Sequence, residues 1–124
     1  MLLLDTNAIL RYLLSDNTDM ATKVNEIIIN NKVMVRYEVI AEVVYVLEGV
    51  YELPRNKIKD SIAVFLSLPN VETEAKSVLL LALETYADRK IDFVDCLLYG
   101  FKALYGYDVF TVDKKLNSLL NTVV

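Results

Sequence analysis

The 124-residue sequence contains no histidine and only one cysteine, Cys96. Without histidine, Ser–His–Asp and Cys–His catalysis are excluded, and so are histidine-ligated zinc sites. A single thiol excludes an internal disulfide and is typical of a protein in a reducing cytosol. Cys96 stands among apolar neighbours, which favours a place in the core. Any chemistry must therefore use carboxylates, lysines or hydroxyls.

Long apolar runs are also missing. The longest stretch without a charged residue is 61–71, which is far below the ~20 apolar residues needed to cross a bilayer. No basic region precedes the apolar residues 1–4, so a signal peptide is not expected. We therefore expect a cytoplasmic protein that makes no membrane contact.

A surplus of positive charge is absent too, because the formal net charge is −4. Phosphate backbones bind lysine and arginine, so this value argues weakly against a nucleic-acid partner. However, four acids with a special placement, described below, account for the whole imbalance. Without them, acids and bases balance at 13 each. Net charge alone does not decide the class of partner.

Short apolar or β-branched segments alternate with segments of helical periodicity. Strands are predicted at 2–5, 33–36, 71–73 and 109–112, with 122–124 as a candidate fifth. A first helix is predicted to run through Ile9 to Leu14, with Thr6-Asn7 as its cap. Further helices are predicted at 19–30, 37–50, 55–68, 74–89, 92–105 and 114–120, with a loop over 15–18. This order predicts an α/β fold, a three-layer α/β/α sandwich with a central parallel sheet of four to five short strands. The length predicts a single domain over residues 1–124.

Two aspartates follow predicted strands directly. Asp5 ends the first strand and Asp113 follows the strand at 109–112. In sheets of this type, ligands bind beyond the carboxyl ends of the strands, so both side chains are candidate ligands. Each aspartate also stands where it could cap the following helix, and that alternative stays open.

Two further acids lie inside apolar helical segments. Glu42 and Asp95 are each surrounded by apolar residues, so we expect both to be buried. Neither has a basic residue three or four positions away, and a buried carboxylate needs compensation. A metal ion would provide it. The alternatives are a distant salt bridge for Glu42 and, for Asp95, a helix-start role beside Asp92.

Four carboxylates favour a hard cation, Mg²⁺ or Mn²⁺, as one ion or two. Such an ion activates water and stabilises charge on a phosphodiester, so the sequence predicts a metal-dependent nuclease. Supporting groups that could orient a ligand or contact substrate are Thr6, Asn7, Thr111, Lys114 and Lys115. Each of these also has an ordinary role in strand ends, turns or a solvated surface.

Four segments carry a family resemblance: residues 2–7 (LLLDTN), 39–43 (VIAEV), 91–98 (IDFVDCLL) and 111–116 (TVDKKL). In this order they resemble the PIN domain family, above all the VapC-type toxins of bacterial and archaeal toxin–antitoxin pairs. The resemblance implies that Asp5, Glu42, Asp95 and Asp113 are the catalytic metal ligands.

The resemblance further implies a homodimer that cuts RNA internally, with Mg²⁺ or Mn²⁺, and leaves 5′-phosphate and 3′-hydroxyl ends. It also implies inhibition by a cognate antitoxin protein. The sequence departs from the family at 36–38, where Arg-Tyr-Glu replaces a small residue or proline, and at Cys96, where alanine is common. Neither departure removes a ligand.

Two alternatives remain open at this point. A catalytically silent PIN-like module could bind RNA or a protein without cutting. An aspartyl phosphatase would start at the same strand end, but it typically has a second acid where Asn7 stands.

Overall fold

The computed structural model describes residues 1–15 and 18–123. The chain divides into two compact units, Met1–Lys76 (unit 1) and Ser77–Val124 (unit 2), and each is described by itself. Over the described residues the fold is α/β, with seven helices and a parallel sheet of three strands. None of the described helices is both long enough and apolar enough to span a membrane.

The sheet of unit 1 comprises β1 (Leu2–Leu3), β2 (Val33–Met34) and β3 (Val71–Glu72), in the order β1-β2-β3. All pairs are parallel, with Leu2 opposite Val33 and Val33 opposite Val71. Helices fill both connections, as parallel neighbours require. Val33 at the start of the central strand is fully buried, and Val71 at the start of β3 is nearly so. The start of each of these two strands therefore lies in the core.

Four helices of unit 1 connect and cover these strands: α1 (Thr6–Leu14), α2 (Thr18–Asn30), α3 (Tyr37–Gly49) and α4 (Arg55–Leu66). Their largest fully buried side chains are aliphatic or aromatic: Ile9, Ile40, Leu47, Ile58, Ile62, Phe65 and Leu66. Each such burial contributes about 1.5–3 kcal/mol relative to an exposed side chain. The apolar core therefore holds the helix starts that carry the polar residues discussed below.

Unit 2 is helical, with α5 (Lys76–Asp88, apart from its first residue), α6 (Phe93–Tyr105) and α7 (Lys114–Leu120). Tyr86 and Phe93 meet edge to face, with ring centroids 5.9 Å apart. Gly100 allows a close approach, because a Cβ there would lie 3.1 Å from Cγ1 of Val78. Cys96 is fully buried, as its apolar neighbours predict.

The segment between α6 and α7 is irregular and exposes apolar side chains. Gly106 ends α6 in the left-handed region, with φ of 72°, where glycine is favoured. Phe101, Tyr105 and Tyr107 form a cluster with ring centroids 5.7–6.0 Å apart. Phe110 lies farther along, with 93% of its surface exposed.

All seven predicted helices are present, with ends within two residues of the prediction. Three predicted strands are present but shorter, although hydrogen bonds from the Leu4 and Val35 amides continue the pairing beyond them. The strand predicted at 109–112 is not formed. A strand requires a neighbour, and the described part of unit 2 contains none.

Two predictions touch residues outside the described range. Thr122 and Val123 are not in a strand, and Val124 lies outside the described residues. The loop predicted over 15–18 includes residues 16–17, which also lie outside them, and Thr18 already begins α2.

Candidate metal centre

Asp5 lies between β1 and α1 and caps that helix. Its backbone is extended, and its Oδ1 accepts a hydrogen bond of 2.8 Å from the Ala8 amide. This contact satisfies one of the unpaired amides at a helix start. The capping alternative is therefore present in the structure. It occupies one of the two carboxylate oxygens and leaves Oδ2 without a hydrogen-bond donor in the described chain.

Thr6 connects the start of α1 with the middle of α3. Its hydroxyl donates a 2.7 Å hydrogen bond to Oε2 of Glu42, which is 36 positions away in the sequence. From the sequence, the Thr6 hydroxyl is one that could orient a carboxylate or a metal-bound water. In the structure it contacts a carboxylate, and that carboxylate is on another helix. The start of α1 is thus close to both candidate acids of unit 1, because Asp5 caps this helix and Thr6 contacts Glu42.

Glu42 is exposed, contrary to the expectation that it is buried. The buried face of α3 comprises Ile40, Ala41, Val43, Val44 and Leu47. Glu42 projects from the opposite face together with Tyr45, which is 50% exposed. The sequence misled because this outer face of α3 also carries apolar residues. A desolvated charge is therefore not the reason for a cation at Glu42.

Asp113 repeats the arrangement of Asp5 in unit 2. It caps α7, and its Oδ1 accepts a 2.8 Å hydrogen bond from the Leu116 amide. The Thr111 hydroxyl accepts a hydrogen bond of 3.0 Å from the Asp113 amide, and the Thr111 carbonyl accepts one from the Asn117 side chain. Thr111 therefore shapes the turn that presents Asp113.

Asp95 lies in the first turn of α6 and is partly buried. Burial is the largest cause that raises its pKa, and the negative charges of Asp92 and Asp113 raise the pKa further. Asp92 holds the cap position of α6, but its side chain makes no capping hydrogen bond. The contribution of Asp92 is thus a charge that crowds Asp95, which the sequence did not reveal.

The four candidate acids share one property. Within the described chain, no lysine or arginine forms an ion pair with Asp5, Glu42, Asp95 or Asp113. A distant salt bridge, the alternative for Glu42, is thereby absent from the described residues. Each acid keeps at least one oxygen that accepts no hydrogen bond there. Such oxygens are the ligands that Mg²⁺ and Mn²⁺ take, so the donor chemistry fits a hard cation.

The acids are divided evenly between the units, with Asp5 and Glu42 in unit 1 and Asp95 and Asp113 in unit 2. Within the described part of either unit, no three acid or thiol side chains are grouped as a metal site. A four-carboxylate centre needs acids from both units and stays a prediction.

The remaining candidates are on the surface. Asn7, Lys114 and Lys115 are exposed and, as far as the structure describes the chain, make no side-chain hydrogen bond or ion pair. Lys114 and Lys115 form the first turn of α7, directly after Asp113. They stand where a phosphate could reach them, and their role stays a prediction.

An open groove of about 680 Å³ lies on unit 1. It is bordered by residues of α1, α2 and α4, including Tyr12, Thr22 and Phe65. None of the proposed site residues borders it. This concavity of unit 1 is therefore not the place where its carboxylates lie.

No curated protein and no solved structure matches the chain significantly. A sequence model of one family does match, and its description is "PIN domain". The match covers residues 2–119, which include all four candidate acids. The chain therefore belongs to the PIN domain family.

Proposed function

We propose that this protein is a divalent-cation-dependent endoribonuclease in which Asp5, Glu42, Asp95 and Asp113 hold Mg²⁺ or Mn²⁺. PIN domains are generally nucleases and typically use divalent ions. The observation that carries the proposal is the absence, within the described chain, of any basic partner for the four acids. If the four carboxylates are brought together as this proposal requires, they would repel one another without a counter-charge, and a cation would remove that repulsion.

The roles of the residues follow from their surroundings. Asp5 and Asp113 each cap a helix through one carboxylate oxygen, and Glu42 accepts a hydrogen bond from the Thr6 hydroxyl. Asp95 is held in place by the helix that carries it and is crowded by other acids. When bound, one or two divalent ions would supply the activation of water and the charge stabilisation that phosphodiester hydrolysis needs. Lys114 and Lys115 would contact substrate phosphates.

The decisive test compares Asp5→Asn with a matched control, Asp19→Asn, on a single-stranded RNA labelled at its 5′ end. Asp19 lies in the first turn of α2 and is exposed. We expect cleavage by the unchanged protein with Mn²⁺ and none with EDTA. Asp5→Asn should lower the rate by more than about 100-fold, beyond the effect of groups that only support a ligand. Asp19→Asn should cut normally.

Retention of RNA binding with no cleavage under any divalent ion would instead indicate a silent PIN-like module. Cleavage that persists unchanged in Asp5→Asn would remove the carboxylate mechanism.

A role as a cytoplasmic toxin that a cognate antitoxin restrains belongs to the same proposal, and it rests on the motif resemblance. Expression of the chain alone in a bacterium should stop growth and create new RNA 5′ ends. Expression of Asp5→Asn should do neither. Growth that is equally slow with both forms would show that toxicity, if any, does not come from RNA cleavage.

We also propose that the protein is a homodimer. Support comes from the apolar side chains that unit 2 exposes on α6 and after it: Val94, Leu98, Leu104, Tyr105, Tyr107, Phe110 and Val112. Exposed apolar surface of this kind is common at protein–protein interfaces. Sedimentation equilibrium should give twice the chain mass of 14.1 kDa. A monomer at all concentrations up to about 100 µM would exclude affinities typical of stable dimers.

A further inference from the structure

The hydrogen bond between Thr6 and Glu42 has a function that the nuclease proposal alone does not assign. We propose that Thr6 is a positioning residue, whose hydroxyl holds Oε2 of Glu42 so that Oε1 is presented to the cation. This inference rests on the proposed carboxylate centre. It concerns how Glu42 becomes a defined ligand, and Thr6 itself need not contact the ion.

Glu42 needs such a partner because of its place in the fold. It is exposed in the middle of α3, and in the described chain it has no basic partner. An exposed glutamate side chain samples several rotamers, and fixing it costs conformational entropy. The Thr6 hydroxyl is the one side-chain donor that reaches its carboxylate among the described residues. Without that donor, no hydrogen bond or ion pair among the described residues selects one orientation of the Glu42 carboxylate.

Thr6 is suited to this task by its own position. It is the first residue of α1, a helix whose start is fixed by the Asp5 cap. Threonine is β-branched, so few side-chain rotamers are open to it. A rigid backbone and a restricted side chain therefore place the hydroxyl accurately. Two adjacent residues thereby fix both candidate ligands of unit 1, one through a cap and the other through this hydrogen bond.

The direction of the hydrogen bond also specifies the chemistry. An ionised carboxylate only accepts hydrogen bonds, so the Thr6 hydroxyl must be the donor and its single proton points to Oε2. Serine keeps this proton, whereas valine has a similar shape and no donor. Thr6→Val and Thr6→Ser therefore separate the hydrogen bond from the packing of the side chain.

The test measures Mn²⁺ affinity of the full chain without RNA, by the electron paramagnetic resonance signal of unbound Mn²⁺. Thr6→Val should weaken binding by about 10–100-fold, the usual effect of losing a group that orients a ligand. Thr6→Ser should stay within about threefold of the unchanged protein, because it retains the donor. Thr22→Val is the matched control, since that hydroxyl donates to the Thr18 carbonyl within α2. It should bind normally.

A double-mutant cycle separates positioning from a general structural effect. On a Glu42→Ala background, Thr6→Val should cause no further loss of Mn²⁺ affinity, because its partner is already gone. Thermal unfolding in EDTA should show that each variant is folded. If Thr6→Val does not fold, Thr6→Ala replaces it in the cycle.

The outcomes are distinguishable from those of the nuclease proposal. If Asp5→Asn binds Mn²⁺ as tightly as the unchanged protein, the carboxylate centre itself is wrong. If Asp5→Asn loses binding while Thr6→Val keeps it, only the role of Thr6 is wrong. A Thr6→Ser variant as weak as Thr6→Val, or an additive loss in the cycle, would overturn the positioning role as well.

Discussion

The two units hold their candidate ligands differently. In unit 1, Asp5 accepts a hydrogen bond from a backbone amide and Glu42 accepts one from the Thr6 hydroxyl. In unit 2, Asp113 likewise caps its helix by accepting a hydrogen bond from a backbone amide. Asp95, by contrast, accepts no hydrogen bond in the described chain, and its pKa is raised by burial and by neighbouring acids. In unit 1, hydrogen bonds therefore orient both candidate carboxylates. In unit 2, the negative charges of Asp92 and Asp113 act on Asp95.

This difference shows what each pair of acids lacks without a cation. The acids of unit 1 each accept a hydrogen bond, which compensates part of their negative charge. The charge of Asp95 has no such donor and meets other negative charges instead. A bound cation should therefore relieve more repulsion in unit 2, while unit 1 supplies the better defined ligands.

The largest expected effect separates the two acids at the start of α6. Asp95→Asn should lower RNA cleavage by more than about 100-fold, because it removes a ligand. Asp92→Asn should retain activity within about tenfold, since Asp92 is exposed and acts on Asp95 only through its charge. Cleavage rates at saturating Mn²⁺ measure both. Equal losses in the two variants would mean that unit 2 uses Asp92 as a ligand too.

A smaller effect tests whether capping and metal binding are separate roles of one side chain. Asparagine caps helices about as well as aspartate, so Asp5→Asn should keep the stability that Asp5→Ala loses, about 1 kcal/mol. Asp113→Asn and Asp113→Ala should differ by a similar amount in unit 2. Urea unfolding in EDTA measures the difference. All four variants should nevertheless bind Mn²⁺ poorly, and an alanine variant as stable as its asparagine counterpart would show that the cap contributes nothing.

The smallest effect is the pH dependence of Asp95. A carboxyl whose pKa is raised on folding binds its proton more tightly in the folded state, so stability falls as the pH rises from its unfolded pKa through its folded pKa. In metal-free buffer, Asp95→Asn removes this loss of folding stability, because asparagine does not ionise. It should melt higher than the unchanged protein at pH 7.5, by no more than about 3 °C.

Well below pH 3.8, the ordinary pKa of an aspartate carboxyl, Asp95 is protonated in both the folded and the unfolded state, and the advantage of the variant should disappear. Calorimetry at pH 7.5 and at a pH well below 3.8 measures the difference in melting temperature between the variant and the unchanged protein. A variant that melts lower at pH 7.5 would assign Asp95 a structural role and contradict the crowding of charges in unit 2.

The helices could be predicted from the sequence because their signals are local. Gly106 ends α6 and Asp113 begins α7 at the predicted positions, since capping depends on residues within one turn. The segment 109–112 has a strand-like sequence, yet a strand also needs a partner that local sequence does not provide. Over the described residues the sheet therefore has three strands and not the four to five that the sequence predicts. The single domain stays a prediction.

For the candidate site, too, the sequence predicted local features and not contacts between distant residues. The sequence indicated which acids to consider, because isolated charges in apolar segments stand out. It placed Glu42 in the core, since Tyr45 and its neighbours are apolar although they face outward. It could not pair Thr6 with Glu42, because that contact depends on how α1 packs against α3.

The burial of Cys96 has a practical consequence for handling this protein. The only sulfhydryl of the chain has no exposed surface, so purified material should not cross-link through sulfur when it is stored in air. Thiol reducing agents, whose sulfur atoms can bind divalent ions, can accordingly be left out of every buffer. Ion affinities can then be measured against the true concentration of the added salt.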